Sequence, residues 1–510
     1  MKSLRHLRSF WKANQKIRCS SSTVNSEIDL QGKPFSEIPS LPALPILGAS
    51  WHYMPIIGKY RIDEQHKANK EKRKRYGDIF REKIGKLDIV VTFSAEDMHE
   101  IYLNEGRDPF RVNFESVVAY RKSRPHWYST AGVVSSHGEE WRELRFKTQE
   151  YILKPAAALW YLEPFRDVSE EFVRKLYVVR DSNDEVPNFL MELYKWNLES
   201  ICLIGLNTRL GCLDTDLDED SDGIKIINSV QTKFDCIIKL EAFSRNFQLW
   251  KYFSTPTWKK FVKCSDTFSE IAFKHINSAL LNLEPYKEDH EKPSSFLQVL
   301  IKNKSLDVRD IMVVLADFLM AGIEATAHSI GFLLYHLARN PEKQDLLYKE
   351  IMSFLPTKDA KLINSNCYEL KYLQACFKES LRLNPPVGGS ARTLDRDIVL
   401  SGYIIPAGTL LTVPYQELFT QEKYCKEPLK FIPERWLKGD EDKPKPWSFL
   451  PFGFGCRSCM GRRLAELQVI LLIAEIIRNF QVEYHLDDIG TKTMLVNSPD
   501  KPLRFNFIER

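Results

Sequence analysis

The sequence predicts a mainly α-helical protein with a smaller β region, folded as a single large domain. Long segments repeat apolar residues at the spacing of an amphipathic helix, and short β-rich runs are fewer. No long low-complexity linker follows Gly48 and no repeat of about 20–50 residues occurs, so no internal boundary is indicated. The predicted helices cover residues 139–152, 167–177, 307–339, 369–383 and 461–480, and the predicted strands cover residues 89–93, 398–405 and 409–413.

The first thirty residues differ in charge from the rest of the chain. The 510 residues include 72 Lys and Arg against 68 Asp and Glu, a net charge of +4. Residues 1–30 hold six basic and two acidic residues, and the remaining 480 residues hold 66 of each. Apolar residues recur at helical spacing among these basic residues, a pattern typical of a mitochondrial transit peptide. A solvated basic arm is the alternative interpretation.

The composition of the remaining sequence narrows the class of protein. A body with balanced charge lacks the basic face that neutralises phosphates, so no nucleic-acid partner is expected. Ten cysteines are too few for a disulfide scaffold in a chain of 510 residues, which favours a reducing compartment. The sequence contains no run of about 18 apolar residues, so no membrane-spanning helix is predicted. Four prolines within residues 31–48 predict an extended lead-in.

The segment with the most chemical information is residues 451–466, PFGFGCRSCMGRRLAE. Glycines precede Cys459, and an amphipathic helix is predicted to begin at Gly461. Glycine tolerates positive φ and lets the backbone approach a flat, bulky group. The start of a helix and the neighbouring Arg457 both favour a thiolate over a thiol. The loop is therefore predicted to present the Cys459 thiolate, with backbone N–H groups that can tune a bound metal.

Other interpretations of this loop start from Cys456, which forms a C-x-x-C pair with Cys459. A zinc site would need two more ligands at compact spacing, and no second Cys or His pair lies nearby in the sequence. A thioredoxin-like redox pair would need a strand–helix context in a small α/β unit, which the helical surroundings do not offer. A redox or interaction protein built on C-x-x-C stays open as a competing hypothesis.

The motif F-x-x-G-x-R-x-C-x-G, from Phe452 to Gly461, resembles that of the cytochrome P450 superfamily of haem-thiolate monooxygenases. The resemblance covers roughly residues 35–508 and implies one catalytic domain over residues 49–510 with this fold. It implies haem b as the cofactor, with Cys459 as the axial ligand of the iron and Phe452 against the haem. Electron density from such a thiolate favours cleavage of the O–O bond.

Further motifs follow in the order that this family shows. Glu379 and Arg382 match E-x-x-R, and Arg435 lies in the sequence PERW that comes next. The resemblance implies that these three side chains form a buried ionic triad with a structural role.

A second group of matching residues is implied to bind the haem propionates. Trp141 and Arg145 match the family's W-x-x-x-R helix, where both side chains reach a propionate. Arg392 and Arg457 lie where further propionate-binding arginines are expected. Arginine suits this role because its planar guanidinium pairs bidentately with carboxylates.

The helix around residues 321–326, AGIEAT, resembles the family's oxygen-binding helix. Glu324 matches the acid of the acid–alcohol pair that relays protons to dioxygen. The following position is Ala325, where the family usually has Thr, and Thr326 lies about 100° further round a helix. Glu324 and Thr326 are therefore the implied catalytic pair, with the departure at Ala325 putting efficient proton delivery in question.

The branch of the family is indicated by the run after the cysteine. Residues 461–463, GRR, and residues 206–212 resemble the mitochondrial clan. This implies a place on the matrix side of the inner membrane, and electrons from a [2Fe–2S] ferredoxin fed by an NADPH-dependent ferredoxin reductase. Lys378, Arg462 and Arg463 are candidates for a basic patch that docks the acidic ferredoxin. Ordinary solvated charges are the alternative, and Gln374 replaces a clan-typical Lys.

An aromatic and basic cluster lies between residues 243 and 260. It either rests on the inner membrane as a peripheral contact that admits a lipophilic substrate, or belongs to the core. Its members are Phe243, Arg245, Phe247, Trp250, Lys251, Tyr252, Phe253, Trp258, Lys259 and Lys260.

The substrate class is suggested by three longer segments, residues 55–60, 120–141 and 332–341. They resemble the arthropod ecdysteroid-synthesising hydroxylases, in particular the 22-hydroxylases. The implied reaction hydroxylates an unactivated C–H bond of a sterol side chain at C-22, with dioxygen and two electrons. Alternatives are another mitochondrial steroid or sterol hydroxylase, or a haem-thiolate protein that does not oxygenate because of Ala325.

Overall fold

The computed structural model describes residues 30–54, 56–111, 114–241, 248–283, 295–357, 359–363 and 366–510. Helices account for 53 % of the structure and strands for a smaller region within a single domain, which confirms the predicted fold class. Residues 1–29 of the predicted transit peptide lie outside the described residues. The same holds for Phe243, Arg245 and Phe247 of the aromatic cluster.

The described residues form sixteen α-helices, several of which are short connecting turns. They are α1 Gln65–Tyr76, α2 Ala95–Leu103, α3 Glu115–Lys122, α4 Gly132–Ser135, α5 Gly138–Leu153, α6 Pro155–Leu159, α7 Leu162–Val179, α8 Phe189–Leu206, α9 Asp222–Glu241, α10 Pro256–Leu281, α11 Phe296–Lys302, α12 Val308–Ala338, α13 Pro341–Phe354, α14 Lys371–Leu383, α15 Tyr415–Phe419 and α16 Arg462–Asn479.

The strands are short and form four small sheets. They are β1 Ile79–Ile84, β2 Leu87–Thr92, β3 Glu185–Val186, β4 Gly389–Thr393, β5 Ile398–Leu400, β6 Tyr403–Ile405, β7 Leu410–Pro414, β8 Phe480–Glu483, β9 Thr491–Lys492, β10 Ser498–Pro499 and β11 Phe505–Glu509. The largest sheet has the order β1-β2-β7-β4, in which β2 and β7 are parallel and the other pairs antiparallel. Strand β11 lies between β3 and β8, and β9 pairs with β10.

The predicted helices and strands are present in the structure, and their ends differ by a few residues from those predicted. One predicted strand is instead divided into two strands. Residues 398–405, predicted as one strand, form the antiparallel hairpin of β5 and β6. The backbone turns at Ser401 and Gly402, which have φ values of +47° and +82°. Two successive residues with positive φ make the tight turn whose twist matches that of the flanking strands.

Helix α12 is the axis around which the largest apolar core is built. It has 31 residues, about 46 Å of helix, and begins where the Asp307 side chain accepts a hydrogen bond from the Asp310 N–H at 2.7 Å. Its length and apolar composition would suffice to cross a membrane, but 72 % of the relevant window is buried inside the protein, so it is a core helix. Ala321, in the middle of this buried helix, is nevertheless exposed.

The neighbouring helix α8 approaches α12 closely beside this exposed position. A Cβ on Gly322 would overlap the Ile201 side chain, so glycine is required for the approach. The Asn197 amide donates hydrogen bonds to the carbonyls of Gly322 and Ile323, at 2.6 and 2.8 Å. Asn197 itself accepts a bond from Gln468 of α16 at 3.2 Å. Three helices are thereby held in register where the middle of α12 faces open space.

The segment before α1 lies first against the β5–β6 hairpin and then against the largest sheet. Short 3₁₀ helices at Phe35–Glu37, Ser50–Tyr53 and Ile62–Glu64 interrupt its extended backbone. The Lys33 N–H donates to the Gly402 carbonyl at 2.9 Å, and the Leu41 N–H donates to the Arg81 carbonyl at 3.1 Å. Ile38 and Leu41 are buried against the sheet. Ile38 belongs to one smaller apolar cluster and Leu41 to another, so this segment contributes to two clusters beside the main core.

Candidate active site

The loop before α16 presents the thiol of Cys459. Gly453 and Gly455 both have φ of +70°, the left-handed conformation that favours glycine. The Cys459 N–H donates to the Phe452 carbonyl at 2.8 Å, which closes the loop. The Cys459 side chain is accessible, although its sulfur lies deep among protein atoms. Both observations fit a residue that lines an internal cavity.

The electrostatics at this sulfur combine opposing effects. Burial raises the pKa of the Cys459 thiol above its ordinary value. Hydrogen bonds from the backbone N–H groups of Gly461 and Arg462, together with the charge on Arg145, act in the other direction and favour the thiolate. A cationic metal beside the sulfur would add to this preference.

Cys456 does not complete a second site with Cys459. Both cysteines are free, and the Cys456 sulfur lies 3.9 Å from a carboxylate oxygen of Glu105. Within the part of the chain that the structure describes, no group of three His, Cys, Asp or Glu side chains could hold a metal ion. The zinc interpretation of the C-x-x-C pair therefore finds no support.

Four arginines, Arg111, Arg145, Arg392 and Arg457, crowd together near the cysteine loop. Burial, followed by repulsion from neighbouring arginines, lowers the pKa of Arg111 to about 10 and that of Arg457 to about 9. Burial also lowers the pKa of Arg145 to about 10. The carboxylate that pairs with this group among the described residues is Glu105, which accepts from Arg392 Nε at 2.6 Å. The site is short of negative charge, as expected for a pocket that binds an anion.

The other contacts of these arginines hold their side chains beside the cysteine loop. Arg145 Nη2 donates to the Ser458 carbonyl at 2.8 Å, next to Cys459. The Arg457 guanidinium lies 3.7 Å from the centre of the Trp141 ring. Its Nη1 atom has no hydrogen-bond partner among the described residues, although it is buried. Such an orphaned donor costs free energy unless a ligand satisfies it.

The oxygen-binding positions predicted on α12 divide between two faces of the helix. Ala321 and Ala325 follow each other by one turn and are accessible, so they form the face toward open space. Glu324 is buried, and burial raises the pKa of its carboxyl to about 8, so the group is protonated at neutral pH. Thr326 is also buried, about 100° round the helix from Ala325.

The three residues of the implied ionic triad form a buried network around one carboxylate. Arg382 donates from Nε and Nη2 to Glu379, at 3.0 and 2.8 Å, and Arg435 Nε donates at 3.1 Å. The Trp436 indole and the Ile432 N–H complete five hydrogen bonds, at 2.8 and 3.1 Å. The network ties α14 to the segment that leads toward the cysteine loop.

These residues fit a flat tetrapyrrole that carries two carboxylates. Cys459 would hold the iron, the arginines with Trp141 would hold the propionates, and Phe452 lies half-buried in the loop itself. When bound through a thiolate, haem iron supplies the reductive activation of dioxygen. The fold and the site thus define the class of haem-thiolate oxidoreductases.

Comparison with known proteins reaches the same class. A model of the family described as cytochrome P450 matches residues 39–507. The chain is 35 % identical over 502 residues to the probable cytochrome P450 12a5, mitochondrial, of Drosophila melanogaster, covering 94 % of this chain and 92 % of that protein. It is 33 % identical over 477 residues to the cytochrome P450 302a1, mitochondrial, of the same organism, covering 92 % and 94 %. The chain belongs to the cytochrome P450 family, whose members are haem-thiolate monooxygenases.

The structure adds three residues to those predicted from sequence. Arg111 joins the arginine group, with Nη2 donating to the Val134 carbonyl at 2.8 Å. Glu105 pairs with Arg392 beneath the loop, and Asn197 holds the carbonyls beside the open face of α12. Arg111 follows the run DPF, and none of the three residues belongs to a motif of fixed spacing, so the sequence pattern does not indicate them.

We predict that Glu379→Gln lowers the free energy of unfolding by about 3–5 kcal/mol, because two fully buried guanidiniums lose their counter-charge. Denaturant unfolding of the haem-loaded protein measures this difference. Glu369→Gln, an exposed change just before the same helix, should alter it by less than about 0.5 kcal/mol. Equal effects of the two changes would contradict a structural role for the network.

We also predict that Arg111→Gln speeds the loss of haem by about 10- to 100-fold, because a charged donor to an anionic ligand is removed. Transfer of haem to an excess of apomyoglobin measures the rate directly. The matched change Arg107→Gln, at an exposed arginine four residues earlier, should leave the rate within about twofold. Haem loss that does not respond to Arg111→Gln would remove Arg111 from the propionate site.

Proposed function

We propose that this protein is a mitochondrial monooxygenase that hydroxylates a sterol or ecdysteroid C–H bond, at position C-22, with electrons from a ferredoxin. The observation that carries the reaction class is the accessible Cys459 thiol in a site whose buried arginines need an anionic cofactor. The substrate class rests on the resemblance of three segments to the arthropod ecdysteroid 22-hydroxylase Disembodied. The mitochondrial location draws support from relatives whose names include the word mitochondrial. The matrix side is proposed from the resemblance to the mitochondrial clan.

The proposed catalytic roles assign proton supply to α12. A protonated Glu324 carboxyl, with its pKa raised to about 8, is a proton donor at neutral pH. Ala325 provides no hydroxyl on the accessible face, and Thr326 is buried. In this proposal Glu324 supplies the proton, and Thr326 or a water molecule passes it on.

The lack of a hydroxyl at Ala325 also favours a second candidate function. Without a hydroxyl at Ala325 on the open face, the protein would be a haem-thiolate enzyme that does not oxygenate its ligand. Reducing equivalents would then be released as peroxide instead of appearing in product.

The proposed contact with the inner membrane falls on part of the aromatic cluster. Tyr252 and Phe253 are 81 % and 56 % exposed, and Lys259 and Lys260 are exposed beyond them. Trp250 and Trp258 instead stack on each other at 4.6 Å, with Trp250 buried, and belong to the core. Aromatic side chains beside lysines suit the headgroup region of an anionic membrane.

The proposed ferredoxin surface lies at the start of α16, three residues beyond Cys459. Arg462 and Arg463 both pair with Glu466, at 2.8 and 3.1 Å, so the two cations share one counter-charge. Lys378 on α14 is half-buried, and its pKa is lowered by burial and by the positive charges of Lys443 and Arg462. A local excess of positive charge remains, which would steer an acidic partner although the net charge of residues 31–510 is zero.

Reconstitution tests the proposed reaction. The full chain, loaded with haem, is supplied with a mitochondrial ferredoxin, its reductase, NADPH and a panel of sterols and ecdysteroid precursors, and the products are identified by mass spectrometry. A C-22 alcohol supports the proposal, and another hydroxylated sterol corrects the position. Peroxide without any oxidised sterol supports the second candidate and overturns the first. Cys459→Ser should abolish the thiolate-type Soret band of the reduced carbon-monoxide complex, while Cys456→Ser retains it.

We predict that reversing the charges at Arg462→Glu and Arg463→Glu raises the Kd for ferredoxin by about tenfold or more and weakens its dependence on salt. Binding is measured by titration at two ionic strengths, with the carbon-monoxide spectrum as a check on the haem. Lys74→Glu with Arg75→Glu, an adjacent exposed pair on α1, makes the same charge change and should leave the Kd nearly unchanged. A similar loss in both double variants would show that only net charge matters.

A further inference from the structure

A second group of buried polar residues lies apart from the cysteine loop. Its members, here called the polar cluster, are Arg121 of α3, Lys233 of α9 and Asp317 of α12, which are 2 %, 0 % and 4 % exposed. Arg121 forms an ion pair with Asp317 through Nη2 and donates from Nη1 to the Ala131 carbonyl at 2.8 Å. Lys233 lies close enough to both side chains to interact with their charges.

Each member of the polar cluster keeps a polar atom without a partner. Among the residues that the structure describes, Lys233 Nζ, Arg121 Nε and Asp317 Oδ2 are buried and make no hydrogen bond. Lys233 Nζ lies over two aromatic rings, 5.2 Å from the centre of the Phe268 ring and 5.9 Å from that of Tyr120. Burial and the charge on Arg121 lower the pKa of Lys233 to about 7. Buried polar atoms are nearly always paired, so three unpaired ones on neighbouring side chains suit a polar ligand.

Two parts of the chain, helix α12 and the segment 131–136, connect the polar cluster to the haem site. Asp317 precedes Ala321 by one turn of α12, about 6 Å along the axis, on the stripe that continues to Ala325. Ala321 and Ala325, the accessible residues on this stripe, are the ones proposed to face the haem.

The second route is the segment 131–136, whose first residue accepts the bond from Arg121. Further along, the Val134 carbonyl accepts from Arg111 and the Ser136 carbonyl accepts from Arg457, at 2.8 and 2.9 Å. At Gly132, with φ of +79°, an added Cβ would overlap both Arg121 and Asp317. One short segment thus lies against the polar cluster at one end and the propionate arginines at the other.

We propose that the polar cluster binds a hydroxyl group at the far end of the otherwise apolar substrate. A hydroxyl oxygen accepts hydrogen bonds from Lys233 Nζ and Arg121 Nε, and its hydrogen is donated to Asp317 Oδ2. A keto oxygen would leave Asp317 unsatisfied, and a carboxylate would be repelled by it. The identity of the substrate as a sterol rests on the function proposed above, whereas the preference for a hydroxyl rests on these three side chains.

This assignment gives the polar cluster a role in regiochemistry. Fixing the hydroxyl end determines which carbon of a rigid ligand lies beside Ala321 and the haem. The cluster residues are positioning residues, since they hold the substrate away from the reacting atoms.

The test compares two ligands in haem-loaded protein by the Soret shift that follows substrate binding. Cholesterol and the hydrocarbon that lacks only its hydroxyl form the first pair, and a long unbranched alcohol with its alkane forms the second. The unchanged protein should bind the hydroxylated member about 10- to 100-fold more tightly. Lys233→Met should reduce this ratio to about one, and Asp317→Asn should reduce it in part. Lys239→Met, an exposed lysine on the same helix, should preserve it.

The possible results separate the two proposals. Equal weakening for both members of a pair would show a structural role for Lys233 and overturn the polar cluster as a binding site. A protein that never distinguishes alcohol from hydrocarbon overturns it as well. If sterols cause no shift while the unbranched pair is distinguished through Lys233, the sterol assignment fails and the hydroxyl site stands. The carbon-monoxide spectrum and Tm of each variant show that the comparison is made on folded, haem-loaded protein.

Discussion

One buried carboxylate, Glu379, fixes the frame on which the haem site depends. It accepts five hydrogen bonds, including two from Arg382 and one from Arg435, and all three side chains are at most 1 % exposed. Burying three charges is costly, and the cost is offset only when geometry and hydrogen bonding are nearly complete. Arg382 also donates to the carbonyls of Phe419 and Pro428, at 3.2 and 2.6 Å. A segment with little regular structure is thereby held against α14, close in sequence to the cysteine loop.

At the haem site, by contrast, most of the buried positive charges have no counter-charge from the part of the protein that the structure describes. Its four arginines have one carboxylate partner among the described residues, Glu105. Burial, followed by repulsion among the arginines, lowers the pKa of Arg111 and Arg457. Such an arrangement is unfavourable by itself and would become favourable with two propionates bound, as the proposed assignment of these arginines requires. Cofactor binding and the stability of this region are therefore linked, since a ligand that binds only the folded state stabilises it.

Local patterns predicted the parts of the site that lie within one helix or loop. Three motifs have a fixed spacing that can be recognised in a single sequence. They are the loop from Phe452 to Gly461, the E-x-x-R pair and the W-x-x-x-R helix. Arg111 could not be found in this way, because its role comes from three arginines on distant segments. The Arg121–Asp317 pair joins residues 196 positions apart, a separation that no periodicity reveals. Residues 398–405 were predicted as one strand because the run is β-rich throughout. The positive φ at Ser401 makes a turn that divides it into two strands.

Buried groups with complete hydrogen bonding and buried groups with an unpaired atom both occur in the described part of the polar interior. Glu379 spends its hydrogen-bonding capacity on the protein, so it stabilises the fold and has none left for a ligand. Arg457 Nη1 and Lys233 Nζ are equally buried, but among the described residues they have no partner. An unpaired buried donor lowers stability by about 1–3 kcal/mol, a cost that the proposed binding roles of these two atoms would offset. Arg457 Nη1 lies among the arginines near the cysteine loop. Lys233, on α9, lies near Asp317, which precedes Ala321 by one turn of α12. A substrate held as proposed would extend from the haem to Lys233 and carry its polar group at that end.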